Sequence, residues 1–143
     1  MIQAVAAAVQ NKVHGKIAAV VTKCIAAVFQ ENISFEIRFE KKRGRTEARP
    51  VLIKDGHEMD PLDGSGGGVI DVASLALRVI CLSMTRPAVR KLLVLDEPLK
   101  HLSANNHERA RGLLLSLSEE FGMQVIMVTH NKNLVCGKII EIE

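Results

Sequence analysis

The chain has 143 residues, 48% of them hydrophobic, which suffices for a single domain with a real core. Its net charge of +3 is a mild basic excess, too small to indicate nucleic-acid binding unaided. Cys24, Cys81 and Cys136 lie far apart and lack CxxC spacing, which argues against a disulfide framework or a zinc site and fits a reducing, cytoplasmic setting.

Ile2, Val5, Val9, Val13, Ile17, Val20, Cys24 and Val28 recur three or four residues apart among alanines, so the spacing predicts a long helix from Ile2 to Phe29 with Gly15 a candidate bend. Lys12, His14, Lys16 and Lys23 interrupt that segment, which makes it a poor membrane span, and it lacks the charged start of a signal peptide. It also opens without a capping residue, as a segment cut from a longer chain would. Next, ISFEIRFE alternates Ile33, Phe35, Ile37 and Phe39 with polar residues and predicts a half-buried strand. KKRGRTEARP reads as a hairpin tip around Gly44, with VLI returning. Arg38, Lys41, Lys42, Arg43, Arg45 and Arg49 would suit a phosphate backbone, but the interleaved Glu36, Glu40 and Glu47 favour a solvated hairpin. KDGHEMDPLDGSGGG reads as a loop.

Beyond the loop, VIDVASLALRVICLSM predicts a buried helix and KLLVLDE a short apolar strand. NNHERARGLLLSLSEEF is amphipathic, with Ser103 or Asn105 as its N-cap, and MQVIMVTH is a second apolar strand followed by a turn and KIIEIE. Alternation of strand and helix from residue 69 onward predicts an α/β layer of parallel strands covered on both faces.

Four apolar residues run directly into Asp96 and Glu97, and burying such carboxylates costs several kcal/mol each unless they are paired or bind a metal. In an α/β sheet, ligands sit beyond the carboxyl ends of the strands, and His130 ends the other apolar strand. The pattern is that of a Walker B segment, in which the aspartate supports Mg²⁺ and the next carboxylate deprotonates the attacking water. The plainer alternative has Asp96 capping a turn and Glu97 solvated. GSGGG, residues 64–68, precedes a helix and offers main-chain N–H groups to an anion, or else serves as a hinge. No segment matches the P-loop pattern G-x-x-x-x-G-K-[ST].

SGGGVIDVASLALR, LLVLDEP and VIMVTHN, in that order, resemble the C-terminal lobe of an ABC-superfamily ATPase, within it most the SMC and SbcC-like branch that handles chromosomes and DNA breaks. The resemblance implies an α/β lobe of a P-loop ATPase, its sheet largely parallel and flanked by helices, preceded by a long helix and a β-hairpin. Residues 1–30 would be the root of a coiled-coil arm or an ordinary packing helix, and residues 31–143 the lobe itself. It implies ATP and Mg²⁺ as cofactors, Asp96 at the metal, Glu97 as general base and His130 as the switch histidine at the γ-phosphate. The signature would be Ser65 with Gly66 and Gly67, or Gly66 to Gly68, acting in trans on nucleotide held by an opposite head. Lys100, His101, Leu102 and Ser103 would form the D-loop, with Ser103 where the family usually has aspartate. Implied partners are an N-terminal Walker A lobe, in the same chain or a separate one, a second head in a homodimer, DNA and a nuclease subunit, with no membrane. Without Walker A, this chain alone is expected to be inactive. The same features admit an ABC transporter lobe, or a non-catalytic interaction module that keeps the fold.

Overall fold

The computed structural model describes residues 2–42, 44–59 and 66–141. Helix α1 (Ile2–Val28) runs unbroken through Gly15. Val21, Cys24, Ile25 and Val28, spaced three and four apart, lie on one side of it and are buried. Thr22 Oγ1 accepts the main-chain N–H of Phe35 at 2.9 Å, which fixes the helix against the first strand. Cys24 is a packing group of the core, 5% exposed, and burial, helped by the charge of Glu120, pushes its thiol above its ordinary pKa.

Strands β1 (Ile33–Lys42), β2 (Arg45–Lys54) and β3 (His57–Glu58) form an antiparallel sheet in that order. Gly44, at φ +76°, makes the first turn, next to Arg43, which lies outside the described residues. The second turn falls in the stretch KDGHEMDPLDGSGGG, which the sequence predicts as loop. In the structure Asp55 (φ 50°) and Gly56 (φ 82°) both take the left-handed conformation that a two-residue hairpin requires. Three basic residues of the hairpin pair locally: Arg38 with Glu36 and Glu58, Arg49 with Glu40 and Glu58, Lys42 with Glu40. That is the solvated arrangement the interleaved glutamates predict.

Helix α2 (Gly67–Met84) is long and apolar enough to cross a membrane, but Val69, Val72, Ala73, Leu75, Ala76 and Val79 are buried in the same core as α1. Helix α3 (His107–Phe121) buries Ala110, Leu113, Leu114 and Leu117 and connects strands β4 (Leu92–Asp96) and β5 (Gln124–Val128). The two strands pair in parallel, from Leu92 opposite Gln124 to Asp96 opposite Val128, as a helical crossover allows. The expected caps shift slightly. Ser103 precedes a 3-10 turn at Ala104–Asn106, and Asn106, rather than Asn105, precedes α3.

Two expectations about the sheet need correction. Among the described residues the only parallel pairing is β4 with β5, and the other three strands form a separate antiparallel sheet, so the fold is mixed α/β with a small parallel part. The hairpin at Gly44 is the expected one, and the turn at Asp55–Gly56 adds a third strand to it, since so short a turn joins only antiparallel strands. Nor is the parallel pair covered on both faces. Leu95 is 1% exposed on the inner side, whereas Val94 is 63%, Ile126 48% and Val128 54% exposed on the outer one. Strand residues alternate sides, so among the described residues the face of the pair that carries Val94, Ile126 and Val128 is left open.

Candidate functional site

Parallel pairing in register brings the carboxyl ends of β4 and β5 side by side. The ladder runs one step past Asp96, where the Glu97 N–H donates to the Val128 carbonyl at 2.9 Å. Glu97 itself leaves the strand at φ 43°, and Leu99 follows at φ 65°. Two left-handed side-chain-bearing residues around Pro98 cost on the order of 1–3 kcal/mol each, the kind of strain found where a turn must aim a functional group. Burial of Leu99 and Leu102, 2% and 6% exposed, offsets it by roughly 1.5–3 kcal/mol per side chain.

This turn points the Glu97 carboxylate across to the end of β5. Its Oε1 accepts the His130 main-chain N–H and the ring Nδ1–H, both at 2.8 Å, and Oε2 accepts the Thr129 hydroxyl at 3.2 Å. A carboxylate only accepts, so Nδ1 carries the proton, and Nε2 belongs to a side chain that is 85% exposed. Partial burial works against ionisation of Glu97. The hydrogen bonds from the His130 ring and main chain, its positive charge and the Thr129 hydroxyl outweigh that and hold the carboxyl below its ordinary value.

The unfolded chain binds the Glu97 proton more tightly, so the stabilisation is complete above the ordinary glutamate value of 4.5 and is lost as pH falls through the lower folded value. Acid unfolding of Glu97→Gln, followed by circular dichroism, is expected to show a shallower pH dependence below 4.5 than the wild-type chain. Parallel profiles would mean that the His130 and Thr129 contacts do not hold the carboxylate in solution.

Asp96 is exposed and lines a cleft of about 160 Å³ together with Asp71, Ser74, Arg78, Glu97 and Lys100. Among the described residues no three histidines, cysteines or carboxylates converge as a complete metal cage. Glu97 spends both oxygens on His130 and Thr129, so the exposed Asp96 carboxylate is the donor here that fits Mg²⁺, which is ordinarily held by one or two carboxylates with water and phosphate oxygens completing the shell.

Of the glycine-rich segment, Ser65 lies outside the described residues, and Gly67 and Gly68 form the first turn of α2 instead of a loop before it. A Cβ on Gly67 would stand 3.1 Å from His101 Cβ, and one on Gly68 would stand 3.2–3.3 Å from Leu102 and the His101 carbonyl. These glycines therefore admit the 99–102 turn against the helix. Lys100 and His101 are exposed, and Ser103 Oγ accepts the Asn106 side-chain amide at 3.2 Å.

The chain is 29% identical over 85 residues to a probable ABC transporter ATP-binding protein, p29, of Mesomycoplasma hyorhinis. The match takes in 59% of this chain but only 30% of that protein's length. It supports an ABC ATPase-like kind at the level of the superfamily and no finer branch. No protein-family model matches the chain.

Three side chains at this edge escaped the sequence reading. Thr129 was passed over beside His130. His107, 9% exposed, donates from Nε2 to the Leu102 carbonyl at 3.0 Å, which leaves Nδ1 to accept the Asn131 side-chain amide at 3.4 Å, so it fastens the start of α3 to both strand-end turns. Asp71 accepts the His101 N–H at 2.9 Å. Its signal was present, since a carboxylate inside the apolar run VIDVAS raises the same question as Asp96 and Glu97.

Proposed function

We propose that this chain is the C-terminal lobe of an ABC-type ATPase head that hydrolyses ATP to ADP and phosphate once a Walker A-bearing lobe completes it. The observation that carries the reading is the Glu97–His130 pair, held at 2.8 Å at the carboxyl edge of the parallel strands with Asp96 beside it. The similarity to an ABC ATP-binding protein points the same way. In this reading Glu97 accepts a proton from the attacking water at its carboxylate, which His130 and Thr129 keep ionised and aimed. His130 turns Nε2 outward toward the terminal phosphate. Asp96 would hold Mg²⁺, directly or through water, and the ion would supply neutralisation of phosphate charge. Because the chain has no P-loop and leaves Val94, Ile126 and Val128 open, the missing lobe is the natural cover for that face.

Within the superfamily we favour the SMC and SbcC-like branch. The 27-residue α1 leads into the hairpin sheet as the root of a coiled-coil arm would, and after Gly67 and Gly68 the start of α2 is the largely apolar Val69, Ile70, Asp71 and Val72, where a transporter head would carry a Gln-Arg-rich helix start. The working form is then a cytoplasmic homodimer of heads on DNA, with the glycine-rich segment reaching nucleotide in trans and a nuclease subunit alongside, in double-strand break repair or recombination. A transporter head is the second reading, favoured by the name of the similar protein. The head assembled from this chain and its P-loop lobe is expected to hydrolyse MgATP faster when DNA is added. Turnover indifferent to DNA, with the head recovered on membranes, would transfer the reading to the transporter class, and absence of any turnover would leave an interaction module.

A further inference from the structure

Asp71 lies in the second turn of α2 between the apolar Ile70 and Val72, with its side chain 19% exposed. It makes two kinds of bond to one residue of the turn that follows β4. Oδ2 accepts the His101 main-chain N–H at 2.9 Å, and both carboxylate oxygens lie 3.2–3.3 Å from the His101 ring Nδ1. A main-chain bond fixes the backbone of the turn, and the ring contact fixes its side chain. The same surfaces meet without any Cβ at Gly67 and Gly68, which stand against His101 and Leu102. The segment so held begins at Glu97, whose φ of 43° and that of Leu99 at 65° are conformations the chain would leave unless the surroundings enforced them. Asp71 also lines the cleft that Asp96 and Glu97 line.

We propose that Asp71 is a positioning residue for Glu97: by clasping His101 it locks the strained 97–101 turn to the start of α2, so that the glycine-rich helix end and the acidic strand end move as one body. The proposal rests on the reading of Glu97 as general base. Any contact that shifts the start of α2, such as nucleotide reaching the glycine-rich segment, is thereby transmitted to the Glu97 carboxylate.

The test uses Asp71→Ala, Asp71→Asn and His101→Ala in the assembled head, with Glu97→Gln alongside. Asp71→Ala is expected to lower kcat about tenfold to hundredfold with KM for MgATP nearly unchanged, since misplacing a catalytic group by about 1 Å costs that much. Asp71→Asn keeps a carbonyl acceptor for the His101 N–H and should restore most of kcat. His101→Ala alters an exposed side chain, keeps the main-chain bond and should give a partial loss. If Asp71→Ala turns over normally while Glu97→Gln is inactive, the clasp is refuted and Glu97 stands. If Glu97→Gln is active, the reading beneath falls, and the clasp is judged on the chain itself by amide hydrogen exchange. There, Asp71→Ala should speed exchange at His101 and Leu102 about tenfold and leave the interior of α3 unaffected. Unchanged exchange refutes the clasp whatever the activity.

Discussion

Glu97→Gln is expected to abolish ATP turnover by the assembled head while leaving ATP binding intact. The glutamine carbonyl can still accept the His130 main-chain N–H, and the amide occupies the same space, so the turn and strand ends keep their form. What is lost is a negative charge able to take a proton. General-base catalysis contributes about 10²–10⁴-fold to rate, which sets the expected fall. The wild-type carboxylate is suited to the task in one respect and constrained in another. His130 and Thr129 keep it ionised, but every bond that stabilises the charge also lowers its basicity. Proton transfer is therefore expected to accompany loosening of the Nδ1 contact as His130 turns to phosphate. Phosphate release and equilibrium ATP binding, measured on the same preparation, separate the two effects. Unchanged turnover would remove Glu97 from the base role, and loss of binding would make it a ligand-holding residue.

How far this site could be read from the sequence depends on the range of each interaction. Asp96, Glu97 and His130 were legible because two apolar runs ending in polar residues, joined by an amphipathic helix, make parallel strands whose ends must coincide. The Glu97–His130 contact then follows from topology, although the left-handed φ of Glu97 that achieves it has no local signal in a residue type that rarely adopts it. The short strand β3 was legible in principle, since Asp55–Gly56 is a strong hairpin pair, but the glycines downstream obscured it within a longer stretch read as loop. Gly67 and Gly68 illustrate the opposite ambiguity. A glycine that admits an anion and one that admits a neighbouring turn look the same in sequence, and here the His101 side chain stands against Gly67 and the Leu102 side chain with the 101–102 backbone against Gly68. The open face of β4 and β5 was not legible at all, because apolar runs report that a face is to be covered without saying which chain covers it.

That open face supports the other large expected effect. Val94 and Ile126 are directly opposite each other across the parallel pair, both on the outer side, at 63% and 48% exposure. Replacing them together, Val94→Lys with Ile126→Glu, should change the stability of this chain by no more than about 1 kcal/mol, because neither is packed in the core and opposite charges facing across strands are mildly favourable. The outcome differs if a second lobe seats on the face. Each charge would then be carried into an apolar interface at a cost of several kcal/mol, and since about 1.4 kcal/mol is tenfold in affinity, assembly should weaken by a thousandfold or more. The double variant is thus expected to melt like the wild-type chain by circular dichroism, fail to co-purify with the P-loop lobe, and show no ATP turnover in the mixture. Retained assembly and turnover would mean that Val94 and Ile126 stay in water in the working protein. The lobe carrying the P-loop would then have to meet this chain elsewhere, with the cleft beside Asp71 and Asp96 as the remaining contact. Loss of turnover without loss of assembly would place the effect on the strand ends, through Asp96 and Val128 on the same face.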